Sequence, residues 1–263
     1  MTGPQAIANQ ATAGEIALHN HTLGSQVARV ERDKSTPDSK AAAQRPQFVA
    51  GPGGVQIQAT VAGLDVASYQ GNVDWGYWWG QGKRFAWTKA TESTTYTNPY
   101  FAQQYNGSYN TGFIRGAYHF ATPNTSSGFA QANYFVDHGG GWSRDGKTLP
   151  GALDMEYNPY GSTCYGLSQA SMGTWVRAFH DQYRARTGRW PVIYTSTNWW
   201  NQCVGGAQIF GSTAPLWVAR YASTIGTLPI GWGYHTVWQY SSSPLDHDTF
   251  NGAYDRVQAL ANG

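Results

Sequence analysis

Gly151-Ala-Leu-Asp-Met-Glu-Tyr157 is the stretch from which the fold and the chemistry are read. Side chains alternate along a strand, so Leu153 and Met155 share one face and Asp154 and Glu156 the other. Two carboxylates held side by side repel, and one of them keeps its proton to a higher pH. A protonated acid beside an ionised neighbour is what cleavage of a glycosidic bond needs. The alternative is that both acids lie at a solvent-exposed strand end, and the motif alone does not choose.

Working outward, this stretch is the fourth of eight strand-like segments, at 63–70, 85–92, 113–120, 151–157, 190–196, 216–221, 236–240 and 245–250. Between the early ones lie segments long enough for crossover helices. One is a Trp-rich helix or loop at 72–82. A second is a helix at 98–110 with Pro99 in its first turn. A third is capped by Ser126 or Ser127 and runs to about residue 138. The best-defined helix starts after Ser168, carries Met172, Trp175, Val176, Phe179 and Tyr183 at helical spacing, and stops at Gly188. A short helical turn is expected at 198–202 and another at 254–261. After the sixth strand the connections are short and rich in Gly, Pro and Ser. Alternating strands and helices predict a parallel sheet, and eight strands predict closure. The expected architecture is a TIM-like α/β barrel with helices after only about the first five strands, (β/α)5β3.

Residues 1–62 read differently. They contain neither Trp nor Tyr, and Phe48 is their one Phe. Such a stretch buries too little apolar surface to offset the entropy of ordering it. It is read as a flexible leader or pro-segment, with a weak helix across 14–32, ahead of a barrel domain at 63–263.

A net charge of +2 gives no footprint for nucleic acid. Only 12 % of residues are charged while 15 % are aromatic, a balance that suits both sugar-binding platforms and ordinary core. No apolar run approaches the ~18 residues of a membrane span, and no signal-peptide start is present. Cys164 and Cys203 lie in polar loops, which favours a disulfide, and hence an oxidising compartment, over two buried thiols. No metal-ligand spacing, phosphate loop, dinucleotide fingerprint or nucleophile elbow occurs, so neither metal nor cofactor is expected.

In such a barrel functional residues gather at the strands' C-terminal ends. Six of the eleven acids from residue 63 onward fall on strands one, two, four and eight: Asp65, Glu92, Asp154, Glu156, Asp246 and Asp248. Strands one and eight are neighbours in a closed barrel, which brings Asp65 towards Asp246, the strand-eight acid preferred over Asp248. Tyr118, Tyr221, Trp217 and Gln239 are candidates for lining a sugar cleft, with core packing as the alternative. His119 is read as structural. Lys89 is read as a structural ion-pair partner, although a regular strand would turn it away from Glu92.

Seven motifs, in order along 63–253, together resemble glycoside hydrolase family 25, the N,O-diacetylmuramidase type of lysozyme. They are Gly63-Leu-Asp-Val-Ala-Ser-Tyr-Gln-Gly71, Lys89-Ala-Thr-Glu-Ser93, Arg115-Gly-Ala-Tyr-His-Phe120, Leu153-Asp-Met-Glu156, Leu216-Trp-Val-Ala-Arg-Tyr221, Trp238-Gln-Tyr240 and Leu245-Asp-His-Asp-Thr-Phe250. The resemblance implies a secreted, monomeric enzyme that cuts the β-1,4 bond between N-acetylmuramic acid and N-acetylglucosamine in bacterial peptidoglycan. It makes Glu156 the general acid and Asp154 its partner, with Asp65 and Asp246 flanking and Glu92 of lower rank. Two positions depart from the family pattern: Ser93 stands where glycine is usual, and Asp248 where the last motif commonly has Asn. The competing readings are a non-catalytic glycan-binding barrel and a chitinase-like glycosidase. The latter is disfavoured by the absence of the long acidic run that precedes such a glutamate.

Overall fold

The computed structural model describes residues 21–31, 47–51, 54–243 and 245–263. Its strands are β1 (Gln47–Gly51), β2 (Gly54–Gln58), β3 (Thr60–Val66), β4 (Phe85–Glu92), β5 (Tyr96–Thr97), β6 (Ile114–Phe120), β7 (Ala152–Asp154), β8 (Val192–Ser196), β9 (Leu216–Ala219), β10 (Val237–Ser241) and β11 (Asp246–Asn251). The α-helices are α1 (Ser25–Glu31), α2 (Trp75–Gly80), α3 (Phe101–Thr111), α4 (Gly128–Phe135), α5 (Gln169–Thr187), α6 (Thr197–Cys203) and α7 (Tyr254–Asn262).

Eight strands close a barrel in the order β3-β4-β6-β7-β8-β9-β10-β11, with β11 returning to β3. The five helices α2 to α6 each follow one of the first five barrel strands, as the spacing predicts. The fully parallel expectation needs one correction. β11 runs antiparallel to both β10 and β3, because the connection from β10 is a tight return of a few residues with no room for a crossover. The short β5 pairs with β4 outside the closed ring, and β1 and β2 form a separate antiparallel hairpin.

Local chemistry sets several boundaries. Ser127, Ser168 and Ser196 accept from the backbone N–H of Ala130, Ser171 and Trp199, each capping the helix that follows. Gly188 closes α5 at φ 76°, in the left-handed conformation. The strand carrying the acidic motif is shorter than expected. It ends at Asp154, and Glu156 lies beyond the ladder, although Met155 still donates to the Tyr194 carbonyl at 2.9 Å.

The interior is aromatic. Trp87 lies tilted against Trp217 with centroids 4.7 Å apart, and Phe85 and Tyr194 meet these two rings edge-on. Outside the barrel, Phe135, Phe179 and Tyr183 pack between α4 and α5. His119 is structural: it bonds Thr91 Oγ1 at 2.7 Å and Gln131 Oε1 at 2.9 Å, and stacks on Phe179. Cys164 and Cys203 are joined, Cα atoms 5.3 Å apart, tying the loop after β7 to the end of α6. Among the described residues no helix is long and apolar enough to cross a membrane.

Candidate active site

The acids converge at one end of the barrel. Asp65 is the penultimate residue of β3, Asp154 ends β7, and Glu156 follows it. Because β11 is antiparallel, its first residue, not its last, reaches this rim. Asp246 there pairs directly with Asp65, while Asp248 pairs with Gly63, two residues deeper. Both β11 acids are on the buried face of the strand. Asp65, Asp154, Glu156 and Asp246 are each 1 % exposed.

Burial first, and then the charges of Asp246 and Asp248, hold the Asp65 carboxyl well above the usual carboxylate range; the Gln239 side chain opposes this by donating to Asp65 Oδ2 at 2.7 Å. Burial and the Glu156 charge likewise raise Asp154. Neither Asp154 oxygen has a hydrogen-bond partner among the described residues. A buried acceptor pair of this kind is costly unless a ligand or proton satisfies it. Burial pushes Glu156 up to about 8, against three backbone donors that pull it down. Asp248, pushed by burial to about 7, accepts from Trp217 Nε1 at 2.9 Å.

Glu92 reaches the same interior through a bulge. The β4–β6 register slips between Lys89 and Thr91, so Lys89 and Glu92 come to share a face. Their charges meet at 2.5 Å with both side chains fully buried. This corrects the regular-strand expectation and agrees with the ion-pair reading of Lys89. Burial alone would raise Glu92, yet Lys89 and His21 bring it down to about 2. Tyr160, absent from the sequence-derived candidates, also donates to Glu92.

The cleft candidates divide. Tyr118, Tyr221 and Gln239 are at the acidic end. Gln239 Oε1 accepts from Tyr194 Oη at 2.7 Å and Tyr221 Oη at 2.6 Å while its amide holds Asp65. Trp217 is not there; it is fully buried in the barrel interior between Trp87 and Tyr194. Tyr194 was missed because on its strand it reads as another buried aromatic. Ser93, at the departure from glycine, has φ 53° and hydrogen-bonds Thr125 Oγ1 at 2.8 Å. The left-handed backbone explains why glycine suits this position.

The largest surprise is what covers the acids. Residues 21–31 lie across this end of the barrel. The backbone N–H of Gly24 donates to Glu156 Oε1 at 2.7 Å, and those of Gln26 and Val27 to Oε2 at 3.1 Å each. His21 N–H donates to Glu92, Leu23 N–H to Tyr118 Oη, and Tyr221 Oη to the Gly24 carbonyl. Nothing in the composition marks this segment, because its bonds to the acids come from backbone groups that every residue carries.

Residues 64–248 match the family described as Glycosyl hydrolases family 25. An N,O-diacetylmuramidase from Chalaropsis sp. is 50 % identical over 211 residues, covering 78 % of this chain and 100 % of its own. A lysozyme from Streptomyces globisporus is 49 % identical over 210 residues, covering 77 % of this chain and 71 % of its own. Among solved structures, a muramidase from Acremonium alcalophilum superposes with TM-score 0.75 at 53 % identity, covering 77 % of this chain and 99 % of its own.

Proposed function

The chain belongs to glycoside hydrolase family 25, and on that premise we propose that it is a muramidase, hydrolysing the β-1,4 bond between N-acetylmuramic acid and N-acetylglucosamine in peptidoglycan. The observation that carries the reading is the Asp154–Glu156 pair: two carboxyls buried two residues apart, both raised above the ordinary carboxylate range by burial, the first with neither oxygen satisfied by a described protein group. Glu156 acts as general acid, protonating the glycosidic oxygen as the bond to the anomeric carbon breaks. Asp154 receives the substrate, orienting its acetamido group or facing the positive charge on the sugar. Asp65 and Asp246 set the potential of the site. Tyr118, Tyr221 and Gln239 border the sugar. Glu92, already neutralised by Lys89, fixes the site's wall rather than the reaction.

The disulfide supports action outside the cell, in an oxidising compartment. One chain supplies every group named, which supports a monomer as the working unit. The competing binding-module reading has no use for two carboxyls buried together with Asp154 unsatisfied. Purified peptidoglycan incubated with the protein, before and after limited proteolysis, decides between them. New reducing ends that mass spectrometry identifies as N-acetylmuramic acid are expected. Retention on the wall with no new ends under either condition rejects the reading, and equal cleavage of chitin moves it towards a chitinase.

A further inference from the structure

Substrate and residues 21–31 need the same atoms. A general acid must lie within about 2.6–3.2 Å of the oxygen it protonates. Both oxygens of Glu156 are instead taken by the N–H groups of Gly24, Gln26 and Val27, at the start of α1. The Tyr118 hydroxyl, which borders the proposed sugar site, accepts from the Leu23 N–H, and the Gly24 carbonyl lies 3.2 Å from the Tyr221 hydroxyl that Gln239 holds. Leu23 and Val27 are fully buried and belong to the barrel's main apolar cluster.

Both ends of the segment are pinned. At one end the His21 N–H bonds Glu92, its carbonyl accepts from Lys89, and its ring meets Tyr160 edge-on at 4.8 Å. At the other, the Glu31 carboxylate accepts from Tyr157 in the loop after β7, Ser196 at the end of β8 and Asn198 in the first turn of α6. A segment that merely braced the barrel would have no reason to bond both oxygens of one catalytic carboxylate.

We propose that residues 21–31 are an autoinhibitory strap, a cis-acting pro-segment that occupies the muramidase cleft and holds the enzyme inactive until it is displaced or cut away; this rests on the assignment of the cleft made above. Closure is reversible in principle, because every contact is non-covalent. Activity then scales with the fraction of molecules whose strap is open.

Gly24 supplies the test. Its φ is 77°, and a Cβ there would lie 2.2 Å from Tyr221 Oη, 2.5 Å from Gln239 Oε1 and 2.6 Å from Tyr194 Oη. Gly24→Val therefore cannot seat while leaving every barrel residue in place. The full-length chain and its Gly24→Val variant are compared for kcat/KM on peptidoglycan and for amide hydrogen exchange across 21–31. The variant is expected to be at least about tenfold more active and to lose protection at Gly24, Gln26 and Val27. Glu31→Ala, at the far pin, repeats the test should Gly24→Val fail to fold, with a smaller rise. Equal kcat/KM in wild type and variants overturns the proposal, as does fast exchange of residues 21–31 in the wild type. If no form hydrolyses peptidoglycan, but an oligosaccharide of alternating N-acetylglucosamine and N-acetylmuramic acid binds only the variants, the strap stands and the hydrolase reading falls.

Discussion

Asp65 and Asp246 stand directly opposite one another across the antiparallel β3–β11 ladder, both buried at the barrel's mouth. Opposed like charges destabilise a strand pair, and here burial adds to the penalty. Asp246→Asn takes away one of the two opposed carboxylates and is expected to raise the melting temperature, the more so the higher the pH. Its kcat should fall, by less than that of Glu156→Gln. Thermal melts and steady-state assays on the same preparations check both parts.

Glu156→Gln keeps the shape and the acceptor atom but removes the transferable proton. Turnover by the strap-released enzyme should drop by about 100-fold or more with the fold intact. Activity near that of the parent in a reducing-end assay would show that another group supplies the proton.

Stability should decline between about pH 6.5 and 8. Glu156 rises from 4.5 to about 8 and Asp248 from 3.8 to about 7, so each binds a proton in the folded state that the unfolded chain has released. Their stabilisation is complete below the unfolded values and is lost as pH climbs through the folded ones, at up to about 1.4 kcal/mol per pH unit for each group. Glu92 runs the other way. Lowered to about 2, it supports the fold above its ordinary value of 4.5 and loses that support as pH falls. His119 and His180, each brought down to about 4 chiefly by burial, gain support as pH rises from about 4 to 6.5 and offset the two carboxyls over that range, so the net alkaline decline is expected above about pH 6.5. Asp248→Asn, which keeps an acceptor for Trp217, should flatten the alkaline limb in denaturant titrations.

Lys89→Met leaves Glu92 buried with its strongest counter-charge gone. Removing one partner of a buried pair costs about 3–5 kcal/mol, and replacing Glu92 by Gln as well should recover much of the loss. A double-mutant cycle by urea unfolding measures the coupling; independent effects would mean that Tyr160 and the His21 backbone suffice to hold the carboxylate.

The Cys164–Cys203 bridge closes a loop across a sequence separation of 39. Replacing both residues by Ser should cost about 2–4 kcal/mol, read as a lower midpoint in guanidinium.

Barrel class and helix number were legible because both follow from spacing: Ser168 and Gly188 mark a helix whichever barrel contains it. Three features were not. The direction of β11 depends on a connection too short for a helix, and the alternation of Asp246 and Asp248 reads the same in either direction. The β4 bulge is a one-residue slip that no side chain announces, yet it decides that Lys89 faces Glu92. Trp217 was left open between cleft and core because an indole lining a cleft and one filling a barrel carry the same letter in the same pattern.

β3 enters the barrel at Thr60, at the end remote from Asp65 and the acids, whereas Glu31 is fastened at the mouth. The two anchor points therefore lie at opposite ends of the barrel and belong to one covalent chain. Severing that tether would change the molecularity of the block: a tethered occupant competes at a fixed local concentration, but a freed peptide competes only as strongly as its bulk concentration allows. A single backbone cut would thus let simple dilution into the surroundings set the onset of wall digestion.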